Sequence, residues 1–389
     1  MTVRTGLETL LSSPEDWLGA DQRVGLLANP TSVDRDLRSS IELMLEHPAI
    51  SLVRLFGPEH GIRGDAQAGA DVGDAVDSRS GLPVSNLYRH GGLIDQAIFD
   101  DVEVLIVDLQ DIGCRFYTYL ATADRASQAA SATGIKVLVL DRPNPIAWMG
   151  AAGNVVTPGC SSLIGLEGLP VTHGCTIGEV LRFTARRSNR TLPEVVPLSG
   201  WKRSMPWHKT GQPWIPPSPN LPTLDTAHVY PGTCWIEGTN LSEGRGTTRP
   251  FEIIGAPWID GHGLAAQLTA LDVPGYAFRP VSFTPTFSKH AGKLCGGVQI
   301  HQHPTHNRSI LSLGPPLLNI VHSLGGQDFE WVGSPERPFI DLLAGSPTLR
   351  NAVDNGEGDD NLPDAWTGET AEFVRQITPD LEYGPIAGQ

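Results

Sequence analysis

A carboxylate, an imidazole and a guanidinium lie within five residues of one another in the segment Gly57-Pro-Glu-His-Gly-Ile-Arg-Gly64. Glycine adopts backbone conformations that let a ligand approach closely, so this turn could hold its side chains against a substrate. Glu59 could then serve as a general acid or base, with His60 and Arg63 binding the substrate. The structural alternative is an ion pair between Glu59 and Arg63 that only stabilises the turn.

A second group of polar and aromatic residues follows a later apolar segment. Asp108 and Asp111 could supply a second catalytic carboxylate, and Arg115 could pair with an acidic group of the substrate. Tyr117 and Tyr119 could stack on a sugar or hydrogen-bond to it. Alternatively, Arg115 is a buried partner of Asp108 that fixes the loop.

The segment 237–251 is rich in small polar residues and contains Arg245 between two glycines. Backbone amides at such glycines can surround an anion, and a guanidinium offers a planar, two-pronged match to a carboxylate. Glu243 adds a carboxylate beside this arginine, and we expect both residues to bind substrate. A turn held by its own hydrogen bonds is the alternative.

Three histidines in the segment His301-Gln-His-Pro-Thr-His306 have a spacing that could suit a metal. Surface histidines at the end of a strand are the more common explanation, and no clustered acidic partner supports a metal site. Glycine-rich nucleotide-binding motifs are also missing from the sequence. We therefore expect neither a metal nor a cofactor.

Continuous apolar segments separated by helical segments position these candidate residues. This alternation is typical of parallel strands joined by helices, with both faces of the sheet covered, which predicts an α/β fold with a Rossmann-like sheet. Each segment ends in a polar cluster, and the carboxyl ends of such strands form one ligand-binding edge. The predicted strands are 23–29, 50–56, 102–108 and 136–141, with helices at 37–47 and 120–133.

The composition changes between Trp201 and Trp258, a stretch that contains five of the nine tryptophans and a proline-rich run. We predict a long ordered loop here, without a helix. Helices at 264–271 and 316–324 and strands at 278–287 and 297–303 predict a smaller carboxyl-terminal α/β domain. The expected division is 1–255 for the Rossmann-like catalytic domain and 256–389 for the second domain.

Charge and cysteine content limit the class of protein. The net charge of −15 argues against nucleic-acid binding, because that binding depends on lysine and arginine. The amino terminus lacks the features of a secretory signal and no apolar run could cross a membrane, so we expect a cytoplasmic protein that does not bind membranes. Five widely spaced cysteines predict reduced thiols rather than disulfides.

These motifs together resemble the exo-β-N-acetylmuramidase family along nearly the whole chain. The resemblance implies a Rossmann-like domain, a smaller carboxyl-terminal domain and an active site in the cleft between them. It also implies that Glu59 is catalytic, and we expect Asn220 to bind substrate. The matching segments are 55–64, 80–88, 108–119, 140–145, 173–179, 216–222 and 237–251.

The implied reaction releases N-acetylmuramic acid from the non-reducing end of peptidoglycan fragments. Glu59 would protonate the leaving oxygen, and the sugar's own N-acetyl group, oriented by Asp108 or Asp111, or a carboxylate nucleophile would act at the anomeric carbon. Arg245, Arg63 and Arg115 are candidates to bind the lactyl carboxylate. Two rival functions are hydrolysis of another muropeptide bond and non-catalytic sugar binding through the tryptophan-rich loop.

Metal independence is the first testable prediction. Activity on a muramic acid–glucosamine disaccharide should survive exhaustive EDTA treatment, because no segment has a convincing set of metal ligands. Product release before and after chelation measures this. A reversible loss restored by zinc or manganese would contradict the prediction and point to the three histidines of segment 301–306.

Overall fold

Four predicted apolar segments form neighbouring strands of one sheet in the computed structural model, which describes residues 2–64, 73–87, 94–303, 309–357 and 362–386. Further strands, some of them only two residues long, extend this sheet or form smaller ones. The strands are β1 (Arg23–Ala28), β2 (Ser51–Gly57), β3 (Ala75–Val76), β4 (Pro83–Asn86), β5 (Val104–Asp108), β6 (Lys136–Leu140), β7 (Ala151–Ala152), β8 (Thr172–His173), β9 (Glu194–Val196), β10 (Ile253–Ala256), β11 (Tyr276–Phe283), β12 (Cys295–Gln302), β13 (Gly333–Ser334) and β14 (Arg337–Pro338).

Helices pack around these strands in the described part of the chain. Those predicted near 37–47, 120–133, 264–271 and 316–324 are confirmed, with ends that differ by a few residues. The helices are α1 (Gly6–Ser12), α2 (Ser40–Glu46), α3 (Thr118–Ala132), α4 (Ile177–Arg187), α5 (Leu224–Thr233), α6 (Gly261–Ala270), α7 (Gly314–Gly325), α8 (Phe339–Ala344), α9 (Thr348–Asp354) and α10 (Leu362–Ile377).

The large sheet has the order β3-β4-β2-β1-β5-β6-β9 and is parallel except for the β3 edge strand. Every residue of β5 is buried, as expected for a strand covered on both faces. In the register between β1 and β5, Ala28 lies opposite Asp108. The carboxyl ends of β2, β1, β5 and β6 therefore meet at one edge, which confirms the predicted Rossmann-like arrangement.

The second sheet is antiparallel, with the order β10-β12-β11. Helix α6 packs on β11 and β12, so this unit combines a sheet and helices as predicted. The predicted domain boundary, between residues 255 and 256, falls inside strand β10 of this sheet. The division of the chain into 1–255 and 256–389 stays a prediction.

The expectation of a helix-free stretch between Trp201 and Trp258 is wrong. Helix α5 begins after Thr223, whose side chain accepts a hydrogen bond from the Thr226 amide, and it contains Pro231 in its last turn. A short 3-10 helix, Cys234–Gly238, follows it directly. The proline-rich composition of the wider stretch obscured this capping signal.

Of the helices in the described ranges, none is long and apolar enough to cross a membrane.

Candidate active site

Glu59 lies two residues beyond the carboxyl end of β2 and is 8% exposed. Its Oε2 atom accepts a hydrogen bond of 2.7 Å from the hydroxyl of Thr118, the first residue of α3. Helix α3 follows β5, so the parallel sheet brings these two strand-end segments together. Tyr117 is the N-cap residue of α3, so the bond from Thr118 joins the first turn of this helix to the Glu59 turn.

The turn after Glu59 has an unusual backbone. His60 has a φ of 71°, in the left-handed region that residues with a side chain seldom adopt. Strained residues of this kind cluster at binding and catalytic sites, so the observation supports a functional turn. A Cβ atom on Gly57 would lie 3.0 Å from the amide nitrogen of Ile62, which explains the glycine at this position.

Glu59 opens onto a cavity of about 310 Å³. Its walls come from the Glu59 turn, the start of α3, the proline-rich loop and the segment that follows α5. The lining residues are Glu59, His60, Phe116, Tyr117, Thr118, Ile164, Ser218, Asn220, Leu221, Tyr230, Glu237, Arg245, Phe251 and Phe339. Five residues expected from the sequence to be functional therefore share this cavity: Glu59, His60, Tyr117, Asn220 and Arg245.

Arg245 belongs to an ion-pair network at the cavity wall. Its Nη2 atom is 2.6 Å from Oε1 of Glu237, and its Nε atom is 3.1 Å from Oε1 of Glu243. Lys289 reaches the other oxygen of Glu243 at 3.0 Å. Burial acts to lower the pKa of Arg245, but Glu237 and Glu243 outweigh it and the net result is a raised pKa. The guanidinium therefore stays charged.

Aromatic rings form an apolar wall of the cavity. Tyr230 contacts Phe251 at a centroid distance of 4.7 Å and lies 6.5 Å from the rings of Phe116 and Tyr117. The guanidinium of Arg245 lies 5.3 Å from the centre of the Phe251 ring. Burial raises the pKa of the Tyr117 hydroxyl well above its usual value, so this group remains a neutral hydrogen-bonding group.

Asn220 contributes an unpaired amide to the cavity. The residue is 5% exposed, and its Nδ2 atom has no hydrogen-bond partner within the described ranges. A buried polar group without a partner costs about 1–3 kcal/mol. A ligand that hydrogen-bonds to this amide would remove that cost, which supports the expected substrate-binding role of Asn220.

Asp108 and Asp111 do not line the cavity. Asp108 is fully buried and pairs with Arg142 through hydrogen bonds of 2.6 and 3.0 Å. Asp111 accepts hydrogen bonds from the Gly113 amide at 2.7 Å and makes a 3.1 Å contact with Nε2 of His173. Nδ1 of His173 faces the amide of Cys175, which favours the tautomer with the proton on Nε2. Both aspartates thus stabilise the strand-end loops, which argues against their expected catalytic role.

Arg115 also lies away from the cavity, and the alternative of a pair with Asp108 is wrong. Its guanidinium donates to the backbone carbonyls of Leu169 at 3.1 Å and Leu343 at 2.8 Å, and also to Asn154. Burial lowers the pKa of Arg115 to about 9. This arginine connects distant loops, which argues against the expected contact with a substrate carboxylate.

Three further predicted binding residues stand outside the cavity lining. Arg63 forms an ion pair of 2.5 Å with Asp77 instead of one with Glu59. The hydroxyl of Tyr119 donates to the Pro217 carbonyl at 2.5 Å and so fixes the proline-rich loop. Glu243 reaches the cavity only through Arg245. Arg63 and Tyr119 support neighbouring segments, and Glu243 positions the arginine.

The histidine segment shows no metal site in the part that the structure describes. His301 and His303 are exposed, and His306 lies outside the described residues. Within the described ranges, no group of three or more histidine, cysteine, aspartate or glutamate residues could hold a metal ion. None of the five cysteines, all of which lie in the described ranges, forms a disulfide bond.

Sequence reasoning missed several residues of the cavity. Glu237 and Phe251 are the two ends of the glycine-containing segment, and Thr118 and Ser218 lie inside other segments that had been singled out. Attention to every polar residue of those segments would have found Glu237, Thr118 and Ser218, but not the apolar Phe251. Tyr230 carried no comparable signal, because it lies in the helix that was not predicted.

Comparison with known proteins gives consistent matches along the chain. The family model described as "Exo-beta-N-acetylmuramidase NamZ, N-terminal" matches residues 24–225. The corresponding C-terminal model matches residues 228–383. A relative from Bacillus subtilis (strain 168), the peptidoglycan β-N-acetylmuramidase NamZ, is 42% identical over 382 residues, which are 98% of this chain and 91% of the relative.

Two solved structures of DUF1343 family proteins from Bacteroides fragilis NCTC 9343 have the same fold. One is 33% identical, with a TM-score of 0.89 over 98% of this chain and 99% of that chain. The other is 28% identical, with a TM-score of 0.79 over 99% of this chain and 100% of that chain.

The position of Asp108 predicts a stability defect. Asp108→Asn should lower the free energy of unfolding by about 3–5 kcal/mol, because it leaves the charge of Arg142 buried without its partner. Urea unfolding measures this. Asp101→Asn is the matched control: it breaks the more exposed pair with Arg54 and should cost less than about 1 kcal/mol. Unchanged stability with a ~10²-fold loss of turnover would return Asp108 to the mechanism.

Proposed function

The chain belongs to the exo-β-N-acetylmuramidase NamZ family, and we propose on that premise that the Glu59 cavity releases N-acetylmuramic acid from the non-reducing end of peptidoglycan fragments. The chain is a glycoside hydrolase of peptidoglycan, as its family membership and its 42% identity to the Bacillus subtilis enzyme indicate. The assignment of its residues to steps of the reaction is the proposal developed here.

The observation that carries the proposal is a nearly buried glutamate at the wall of a small, partly polar cavity. A volume of about 310 Å³ is at the lower end of ligand pockets, which span roughly 300–1,000 Å³. A space of this size suits one substituted hexosamine better than a longer glycan. This supports removal of one terminal sugar at a time.

Glu59 is the proposed general acid. It gives its proton to the glycosidic oxygen while the bond from that oxygen to the anomeric carbon breaks. The hydrogen bond from Thr118 to Oε2 fixes the orientation of the carboxyl group. General acid catalysis depends on such positioning within hydrogen-bond reach of the leaving oxygen.

Two side chains match the groups that distinguish N-acetylmuramic acid. Arg245 uses Nε and Nη2 for its ion pairs, so Nη1 remains for the lactyl carboxylate of the sugar. The unpaired amide of Asn220 can hydrogen-bond to the acetamido group, which has one donor and one acceptor. Because Asp108 and Asp111 lie outside the cavity, Asn220 replaces them as the proposed partner of that group.

The proposed place of action is the cytoplasm, where the enzyme would degrade recycled wall fragments. Five unpaired cysteines support this, because disulfides are rare in reducing compartments.

The role of Glu59 predicts a specific loss of turnover. Glu59→Gln keeps the shape of the side chain but removes the proton, so kcat on a muramic acid–glucosamine disaccharide should fall at least ~10²-fold. Mass analysis of the released sugar measures this. Glu103→Gln, an exposed residue next to Arg23 at the amino-terminal edge of the sheet, is the matched control and should keep full turnover. Near-normal release by Glu59→Gln would remove Glu59 from the mechanism.

The role of Arg245 predicts a change in specificity. Arg245→Lys keeps the charge but removes Nη1, the donor left for the lactyl carboxylate, and a charge-assisted contact contributes about 1.5–3 kcal/mol, or roughly ten- to a hundred-fold. kcat/KM should fall by this factor for a muramic acid substrate. It should fall less for the matching N-acetylglucosamine substrate, which lacks the lactyl group and loses only the effect of Arg245 on Glu237. Equal losses on both substrates would show that Arg245 serves only Glu237 or the shared part of the sugar.

A further inference from the structure

Two carboxylates from separate segments of the described chain line the cavity. Glu59 follows β2, whereas Glu237 lies in the 3-10 helix Cys234–Gly238 that follows α5. The side chain of Glu237 is 19% exposed. Both carboxylates therefore belong to the wall of one cavity of about 310 Å³.

The two carboxylates accept hydrogen bonds from different donors. Glu59 accepts a hydrogen bond from the neutral hydroxyl of Thr118. Oε1 of Glu237 accepts two from Arg245, at 2.6 and 3.2 Å, and its Oε2 accepts one from the thiol of Cys234 at 3.3 Å. Thr118 therefore orients the carboxyl group of Glu59, whereas Arg245 and Cys234 orient that of Glu237.

The remaining groups around Glu237 stabilise this arrangement. Lys289 donates to the Ile236 carbonyl at 3.0 Å and pairs with Glu243. Burial raises the pKa of Tyr230 and of Cys234 well above their usual values, so both stay neutral. Arg245 is therefore the cation that directly contacts the Glu237 side chain within the described residues.

We propose that Glu237 is the second catalytic carboxylate of this enzyme, an inference that rests on the proposed function of Glu59. As Glu59 protonates the glycosidic oxygen, the electron pair of the breaking bond leaves with that oxygen. Positive charge then develops on the anomeric carbon and the ring oxygen. The carboxylate of Glu237 stabilises this charge until water adds to the anomeric carbon and returns a proton to Glu59. Asp108 and Asp111, the carboxylates expected for this role, are held elsewhere by Arg142 and by His173.

The deciding experiment compares Glu59→Gln and Glu237→Gln on two substrates. The muramic acid–glucosamine disaccharide needs a proton on its leaving group, whereas a 4-nitrophenyl β-N-acetylmuraminide has a leaving group that departs without one. Glu59→Gln should lose at least ~10²-fold in kcat on the disaccharide but less than about ten-fold on the nitrophenyl substrate. Glu237→Gln should lose at least ~10²-fold on both.

A structural role is tested by further variants. Glu243→Gln removes the other carboxylate that contacts Arg245, and it should lose less turnover than Glu237→Gln if Glu237 acts on the sugar. Glu237→Asp keeps the charge but shortens the side chain by one methylene group. This variant should fold, with kcat reduced at least ten-fold and KM little changed.

Several outcomes would overturn this assignment. They are near-normal turnover of the nitrophenyl substrate by Glu237→Gln, equal losses in the Glu237 and Glu243 variants, or full activity of Glu237→Asp where Glu237→Gln does not fold. If the wild-type enzyme releases no N-acetylmuramic acid, the proposed function itself fails. The two failures are therefore distinguishable.

Discussion

The parallel pairing of β2, β1, β5 and β6 is the constraint on which the site depends. Because these strands run in the same direction, the segments that follow them all emerge at one edge of the sheet. The Glu59 turn and the start of α3 meet there, and the hydrogen bond from Thr118 to Glu59 joins them. The rest of the cavity wall is built against this edge by the proline-rich loop and the segment after α5.

Buried charge explains why many of the conspicuous polar residues are not at the cavity. A charged group away from water needs a partner, and the strand-end loops supply those partners to one another. Asp108 pairs with Arg142, and Arg115 donates to carbonyls of distant loops. These contacts hold the loops in place so that neighbouring residues can face the ligand. Polar residues near a catalytic site thus divide into those that contact substrate and those that position the loops.

The sequence predicted the fold more completely than the site. Buried strands consist of continuous apolar residues, and these runs are visible in the sequence. The sequence therefore locates the four central strands to within a few residues. Glu59 and Arg245 can be identified because they lie in motifs rich in glycine, where the backbone approaches a ligand, whereas Asn220 was expected from the family resemblance. The partners of each charge could not be read in this way. Asp108 meets Arg142 only because β5 and β6 are neighbours in the sheet, and Glu237 depends on an unpredicted helix.

Arg245 connects substrate recognition with catalysis in the proposed scheme. Together with Lys289 it balances the charges of Glu237 and Glu243, so the network is neutral before a sugar binds. An N-acetylmuramic acid residue adds one negative charge through its lactyl group. That charge can meet Nη1 of Arg245, the donor that the two glutamates leave for the substrate. One guanidinium would in this way both hold the Glu237 carboxylate in place and bind the group that distinguishes the substrate. A neutral sugar of the same shape would supply neither the contact nor the charge.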